Sequence, residues 1–413
     1  MIMVPLTESQ IEEIVAHGLN SLPLSGQRLL VIIPDRTRTI PLPLFFRLIT
    51  RYTLPHARSV DFLVALGTHP PLSRETLLQL VGLSEPEKTI KYPTVKILNH
   101  AWKDPEALIT LGVIPADEVV DLSQGLLNID VPVRLNRLIL DYDHLLICGP
   151  VFPHEVVGFS GGNKYFFPGI AGAEVIDFTH WLGALLTSYR IIGTKDTPVR
   201  RVIDRAASLI PRPRHAFCSV ITHEGVEGIF FGTPEEAFSA AADISAQVHI
   251  RRVDQSYRQV LAVLPEMYDE IWVGAKGMYK LEPVIADGGE VILYAPHIHE
   301  LSITHGELIR QIGYHVRDYF VKQWDKYKHY PWGVLAHSTH LRGMGEYDVK
   351  TGIERPRIQV TLATGIPSEI CGHVNLGYRD PESIDLESWA GRQEEGILLV
   401  PKAGETLYRL RGA

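Results

Sequence analysis

Short apolar runs that end in polar or glycine-containing turns recur along the first part of the chain. Residues 29–34 run into Asp35-Arg36-Thr37-Arg38, residues 60–66 into Gly67-Thr68-His69, and residues 145–151 into Phe152-Pro153-His154. Continuous aliphatic runs of this length mark strands buried on both faces, as parallel sheets require. Helical stretches over 43–52 and 74–81 lie between them, which makes the pattern α/β. Ligands in open α/β sheets collect beyond the carboxyl ends of the strands, so three strands are expected to aim polar groups at one rim.

A second set of units begins near Tyr268. Residues 269–274 read as a strand, 276–286 as a helix stopped by Asp287-Gly288-Gly289, and 290–294 as the next strand. The expected boundary lies between residues 258 and 267, giving an N-terminal α/β domain over 1–262 and a C-terminal α/β domain over 263–395. The tail, 396–413, reads as a strand and an edge segment that can return to the first domain. The expected fold is therefore α/β, two domains with largely parallel sheets and a cleft between them.

Composition agrees with that plan. A chain of 413 residues is too long for one ordinary core, and 45% apolar with 21% charged residues is the balance of a globular protein. The net charge of −8, with no lysine- or arginine-rich run, excludes a general affinity for nucleic acid. Cys148, Cys218 and Cys371 lack Cys-x-x-Cys spacing, so neither a disulfide framework nor a thiolate zinc site is indicated; they read as buried thiols. No apolar run reaches membrane-spanning length and the N-terminus lacks the pattern of a signal peptide, so a cytoplasmic protein without membrane association is expected.

The chemistry concentrates between Phe152 and His180. Two histidines and Lys164 surround the glycine turn Gly158-Phe159-Ser160-Gly161-Gly162-Asn163-Lys164. A lysine held among apolar side chains tends to lose its proton and become a nucleophile toward carbonyl-like groups. Glycines there can bring backbone N–H groups close to a phosphate, although the segment is not a Walker A loop: asparagine precedes the lysine and tyrosine comes after it. Asp35-Arg36-Thr37-Arg38 offers guanidinium forks suited to a carboxylate or phosphate, or else a solvated ion pair at a helix start. His69, on a turn stiffened by Pro70-Pro71, is by itself compatible with a structural or a catalytic role.

Taken together, Asp35-Arg36-Thr37-Arg38, Gly67-Thr68-His69, His154, the glycine turn with Lys164, Pro168-Gly169 and His180 resemble the nickel-dependent lactate racemase family. The resemblance extends to Lys276-Gly277-Met278 and Gly288-Gly289. It implies a two-domain α/β protein using a nickel-pincer cofactor, a nicotinate-derived mononucleotide whose sulfur groups grip nickel. It implies that Lys164 links covalently to that cofactor in the 1–262 domain, that Ser160, Gly161 and Gly162 contact its phosphate, and that His180 ligates nickel. His69 and His154 match the acid/base pair; Arg38 and Lys276 match the cations near the substrate carboxylate, with Asp35 beside the cofactor and orienting a neighbour. Implied partners are a small 2-hydroxy acid substrate and the proteins that synthesise the cofactor.

The chain departs from the family pattern near the substrate, where it reads Ile271-Trp272-Val273-Gly274-Ala275-Lys276, adding Trp272 to the candidate substrate groups. Between 297 and 340 lie His297, His299, His305, His315, His329, His337 and His340. Solvated surface, second metal site and polar lining for a hydroxyl-rich substrate all remain open, with His297 and His299 taken as candidate substrate contacts. The expected function is a racemase or epimerase inverting C2 of a lactate-like or longer sugar-type acid by hydride transfer. The alternatives are a zinc-dependent hydrolase and a non-catalytic carrier or sensor of the cofactor.

Overall fold

In the computed structural model, which describes residues 4–412, the first three apolar runs are parallel neighbours in one sheet. Its order is Gly225–Gly232, Arg214–Thr222, His144–Pro150, Arg28–Ile33, Ser59–Val64 and Ile97–Asn99, parallel throughout except for the antiparallel pair at the Gly225–Gly232 edge. The strands Arg28–Ile33 and Ser59–Val64 are buried after their first residue and His144–Pro150 along its whole length, as covering on both faces demands. Helix Glu8–Asn20 starts at a Thr7 capping box with Gln10, and helix Leu42–Thr53 turns Leu42, Phe45, Phe46, Leu48 and Ile49 into the core.

From Arg28–Ile33 the strand order runs to Ser59–Val64 and Ile97–Asn99 on one side, then resumes at His144–Pro150 on the other. This reversal is a topological switch point, and the crevice outside the two strand ends is where such sheets hold ligands.

A second sheet has the order Gly377–Tyr378, Gln359–Thr364, Ile285–Ala295, Tyr257–Val263 and Ile397–Val400, all parallel. Its order also reverses, between Tyr257–Val263 and Ile397–Val400. Cys148, Cys218 and Cys371 are buried free thiols. Among the described residues no helix is long and apolar enough to cross a membrane.

The chain divides into two units that are not contiguous in sequence. One comprises 1–152, 160–176 and 200–248; the other comprises 153–159, 177–199 and 249–413. The division therefore differs from a cut at 262/263, because the segment around the glycine turn is shared out between the units. The tail belongs to the second unit and does not return to the first: Ile397–Val400 pairs with Tyr257–Val263, and Leu407–Leu410 with Ile250–Val253.

Three local readings also change. Residues 269–274 are not a strand; Ile271–Gly274 is a helical turn whose first two N–H groups bond to Glu300 and Leu301 carbonyls. The helix expected over 276–286 is limited to Lys276–Tyr279 with a 3-10 turn at Glu282–Val284. Asp287-Gly288-Gly289 does not stop a helix; it lies inside Ile285–Ala295, where the register slips between Tyr257↔Ile285 and Gln259↔Glu290, with Gly288 at φ +76°. Such an excursion requires a residue that tolerates positive φ.

Candidate active site

In the first unit, the ends of adjacent parallel strands bring Asp35 and His69 together. Asp35 is 6% exposed, its Oδ1 accepts from the Thr37 N–H (3.0 Å) and hydroxyl (2.6 Å), and its Oδ2 lies 2.5 Å from His69 Nδ1. Burial disfavours the ionised carboxyl, but His69 by hydrogen bond and charge, then Arg38 and Thr37, outweigh it and hold the carboxyl well below the usual carboxylate range. An ionised Asp35 can only accept, so Nδ1 of His69 carries a proton and, in the neutral ring, Nε2 is the basic atom. Arg38 Nη1 donates to Thr37 Oγ1 (3.0 Å) and its guanidinium lies 5.6 Å from the Phe152 ring centroid. Thus Arg38, Thr37, Asp35, His69 and Phe152 form one connected group at the switch point. Asp35 serves here as the orienter of His69.

From Ser160 onward the glycine turn lies in the same unit and adjoins this group. Ser160, buried, donates its hydroxyl to the Pro150 carbonyl (3.1 Å) and accepts from the Phe152 N–H (3.0 Å), so its proton is committed to holding the turn against the strand end. Gly161 and Gly162 have φ of +89° and +57°, and a Cβ on Gly161 would stand 2.4 Å from Val151 Cγ2. Only glycine fits that position. Lys164 is half-buried in the 3-10 turn Gly162–Tyr165, with the buried rings of Tyr165, Phe166 and Phe167 directly after it.

The second unit holds His154, His180, Trp272, Lys276, His297 and His299. His154 sits on the two-residue strand Pro153–His154, paired with Gly158–Phe159, and is 7% exposed. The Val156 N–H donates to His154 Nδ1 (3.2 Å), which puts the proton of the neutral ring on Nε2. Glu155 Oε2 lies 3.2 Å from the same Nδ1, ready to pair with it when the ring is charged. His180 is half-buried on helix Ala173–Leu186.

Of the histidines between 297 and 340, His297, His299 and His329 are exposed, while His337 and His340 are buried on helix Trp332–Arg342. His337 stacks on Trp272 with ring centroids 3.9 Å apart, and its Nε2 donates to the Trp272 carbonyl (3.1 Å); His305 flanks the same indole at 4.7 Å. Burial pushes the His337 imidazole down to about 3 despite that carbonyl, and burial with a nearby His180 does the same to His340. His337 and His340 thus accompany His180 and Trp272, a placement that i, i+3 spacing on a helix signals only once the helix is known. His297 Nε2 contacts the Tyr268 carbonyl (3.0 Å) and the Lys276 ammonium lies 4.7 Å from the Tyr268 ring, so these two candidates share one neighbour, just beyond the strand Tyr257–Val263. His315 pairs with Glu354 (2.6 Å) and stacks on Tyr319, a structural role.

Among the described residues no group of three or more His, Cys, Asp or Glu could hold a metal ion. A lysine on a glycine-framed turn and a histidine on a helix are residue types that would suit a metal drawing its other donors from a bound group, such as the sulfur atoms of a pincer nucleotide.

Residues 5–190 match the family described as lactate racemase N-terminal domain. The chain is 25% identical over 313 residues to a lactate racemase of Thermoanaerobacterium thermosaccharolyticum, spanning 71% of this chain and 67% of that one. It is 28% identical over 180 residues to a lactate racemase of Lactiplantibacillus plantarum, spanning 43% of this chain and 36% of that protein. A crystal structure of a Thermotoga maritima protein superposes with a TM-score of 0.91 at 34% identity over 100% of both chains. The structure of the lactate racemase apoprotein from T. thermosaccharolyticum shares the fold, with a TM-score of 0.73 at 17% identity over 99% of this chain and 94% of that one.

Proposed function

We propose that this chain, whose residues 5–190 match the lactate racemase N-terminal domain, is a racemase or epimerase inverting C2 of a 2-hydroxy acid with a lysine-linked nickel-pincer nucleotide. The observation that carries the reading is the Asp35–His69 pair, which sets Nε2 of one histidine as a base. A protein that merely carried or sensed the cofactor would have no use for it.

When bound, the group supplies reversible hydride acceptance at C2, so that the substrate is oxidised to a 2-oxo acid and reduced again with no net redox change. Lys164 would tether it and His180 would ligate its nickel. The C2 hydrogen beside a carboxylate is a poor acid, which makes removal as hydride with simultaneous loss of the hydroxyl proton the easier route. His69 takes that proton in one direction and His154 in the other. Their resting tautomers suit this division: Nε2 of His69 accepts while Nε2 of His154 donates. One turnover exchanges the two states. Arg38 and Lys276 hold the carboxylate so that inversion occurs about a fixed anchor. Trp272, braced by His337 and His305, is the group that chooses between lactate and a longer, sugar-type acid.

Turnover in heavy water tests the hydride route. C2 hydrogen retained in the inverted product is expected; deuterium at C2 in step with inversion would establish an enolate route and overturn the proposal.

A further inference from the structure

The turn that carries Lys164 is gripped from behind by polar and charged groups, Asn163 and Arg200 buried and Asp204, Arg214 and Glu235 half-buried, that the proposed chemistry does not use. Asn163, 1% exposed, donates from Nδ2 to Asp204 Oδ1 (2.9 Å) and Glu235 Oε1 (2.7 Å), and its Oδ1 accepts from Arg214 Nη1 (2.8 Å). Arg214 also donates to Glu235 Oε1 (2.9 Å), closing the ring of contacts. Arg200, 3% exposed, donates from Nη1 to the Gly161 carbonyl (3.0 Å) while its guanidinium lies 3.8 Å from the Phe238 ring centroid. The same Gly161 carbonyl accepts the N–H of Lys164 (3.3 Å), and the Lys164 carbonyl accepts the N–H of Gly169 (3.1 Å). Every one of these residues lies in the first unit.

Two members of the cluster, Arg200 and Asp204, are held as ions against the preference of their own sites. Burial lowers the Arg200 guanidinium to about 10 and raises the Asp204 carboxyl, so both are disfavoured as ions by their own site. Apolar side chains of equal volume would serve a core at least as well. They would not, however, bond the Asn163 amide and the Gly161 carbonyl just ahead of the lysine. A buried ion such as Arg200, bonded to the Gly161 carbonyl, can select one geometry of the turn among several.

We propose that Asn163, Arg200, Asp204, Arg214 and Glu235 form a clamp that fixes the backbone leading into Lys164 and so sets the direction in which its amine meets the cofactor. They are positioning residues, and the inference rests on the lysine-linked reading of the site. In that reading the neutral amine condenses with a thiocarboxyl group of the nucleotide: a C–N bond replaces a C–O bond, and the oxygen leaves as water with its own hydrogen and one amine proton. A reaction of this type depends steeply on approach geometry.

The test compares the native chain with Asn163→Leu, which breaks the clamp, and Glu235→Gln, which keeps the Oε1 acceptor for Asn163 and Arg214. Each is produced with the cofactor-synthesis proteins and its intact mass measured, and the cofactor-free protein is acetylated across a range of pH with each lysine followed by mass spectrometry. Asn163→Leu that is folded by circular dichroism should carry at least about tenfold less adduct. Its Lys164 should acetylate as readily as exposed lysines such as Lys96 and Lys402, and faster than in the native chain. Glu235→Gln should match the native chain in both. Unchanged adduct and unchanged Lys164 acetylation in folded Asn163→Leu would overturn the clamp. If the native chain itself forms no adduct, the attachment reading fails, and the acetylation profiles alone decide the clamp. Asn163→Ser carries the same expectations if the leucine variant does not fold.

Discussion

His69 Nδ1 lies 2.5 Å from Asp35 Oδ2, whereas Nδ1 of His154 accepts a backbone N–H from Val156 at 3.2 Å. Two histidines of one chain are thereby held in opposite tautomers, one offering a lone pair on Nε2 and the other a proton. The difference has a local cause in each case: a buried carboxylate for His69, and a tight turn two residues long for His154.

Replacing the carboxylate should disable the base without disturbing the fold. Asp35→Asn presents an amide that can donate to Nδ1 and move the ring proton to Nε2. Racemisation should fall by about 10²–10⁴-fold with little change in KM. Initial rates from both enantiomers, beside an intact-mass check that the cofactor is still attached, measure this; a loss confined to KM would assign Asp35 to substrate binding instead.

Stability should depend on pH through His100. This ring is 1% exposed, accepts from Asn136 at Nδ1 and donates from Nε2 to the Ala171 carbonyl. Burial lowers it from 6.5 to about 4, partly opposed by that carbonyl. The unfolded chain therefore binds a proton below 6.5 that the folded chain refuses until about 4. The contribution is fully present above 6.5 and is lost as pH falls through that window, by about 3 kcal/mol at most. Urea midpoints at pH 4.5 and 7 should differ less in His100→Gln than in the native chain; equal differences would remove His100 from the account.

Gly161→Ala should damage the turn directly. A positive φ of +89° and a Cβ 2.4 Å from Val151 Cγ2 cannot both be relieved by rotating one side chain. A loss of about 1–3 kcal/mol is expected in denaturant unfolding. A variant as stable as the native chain would show that the strand end yields more readily than its packing implies.

Trp272→Ala removes an indole stacked 3.9 Å from His337 at an interplanar angle of 6°. KM for the preferred acid should rise by about 3–10-fold, and the preference among 2-hydroxy acids of increasing length should shift. A uniform fall in kcat across the series would place Trp272 outside the substrate's reach.

How far the sequence discloses this molecule depends on where each signal resides. Asp35, Arg38 and His69 are legible because buried parallel strands announce themselves as aliphatic runs, and the residues just past such a run must lie at the carboxyl end of its strand. The tail strand Ile397–Val400 is legible for the same reason. Tyr257–Val263 is not, because Arg258 and Gln259 interrupt its apolar run at the very place where the pattern suggests a linker; neighbouring strands on both sides supply its burial. Ile271-Trp272-Val273 is too short for periodicity to distinguish strand from helix, and contacts with Glu300 and Leu301 decide it. Which histidines of the 297–340 stretch lie inside is likewise tertiary: His297 and His299 share the spacing of a strand yet are exposed, while His337 and His340 are buried by their helix. The grip on Asn163 joins residues 41 and 72 positions apart and leaves no local trace.

The central claim is that Lys164 carries the cofactor. Its most direct test is the intact mass of the chain produced with the cofactor-synthesis proteins, beside Lys164→Ala produced the same way. An adduct of mononucleotide size on the lysine-containing chain alone is the predicted result. An unmodified chain, from cells in which a control lactate racemase acquires the adduct, would contradict it.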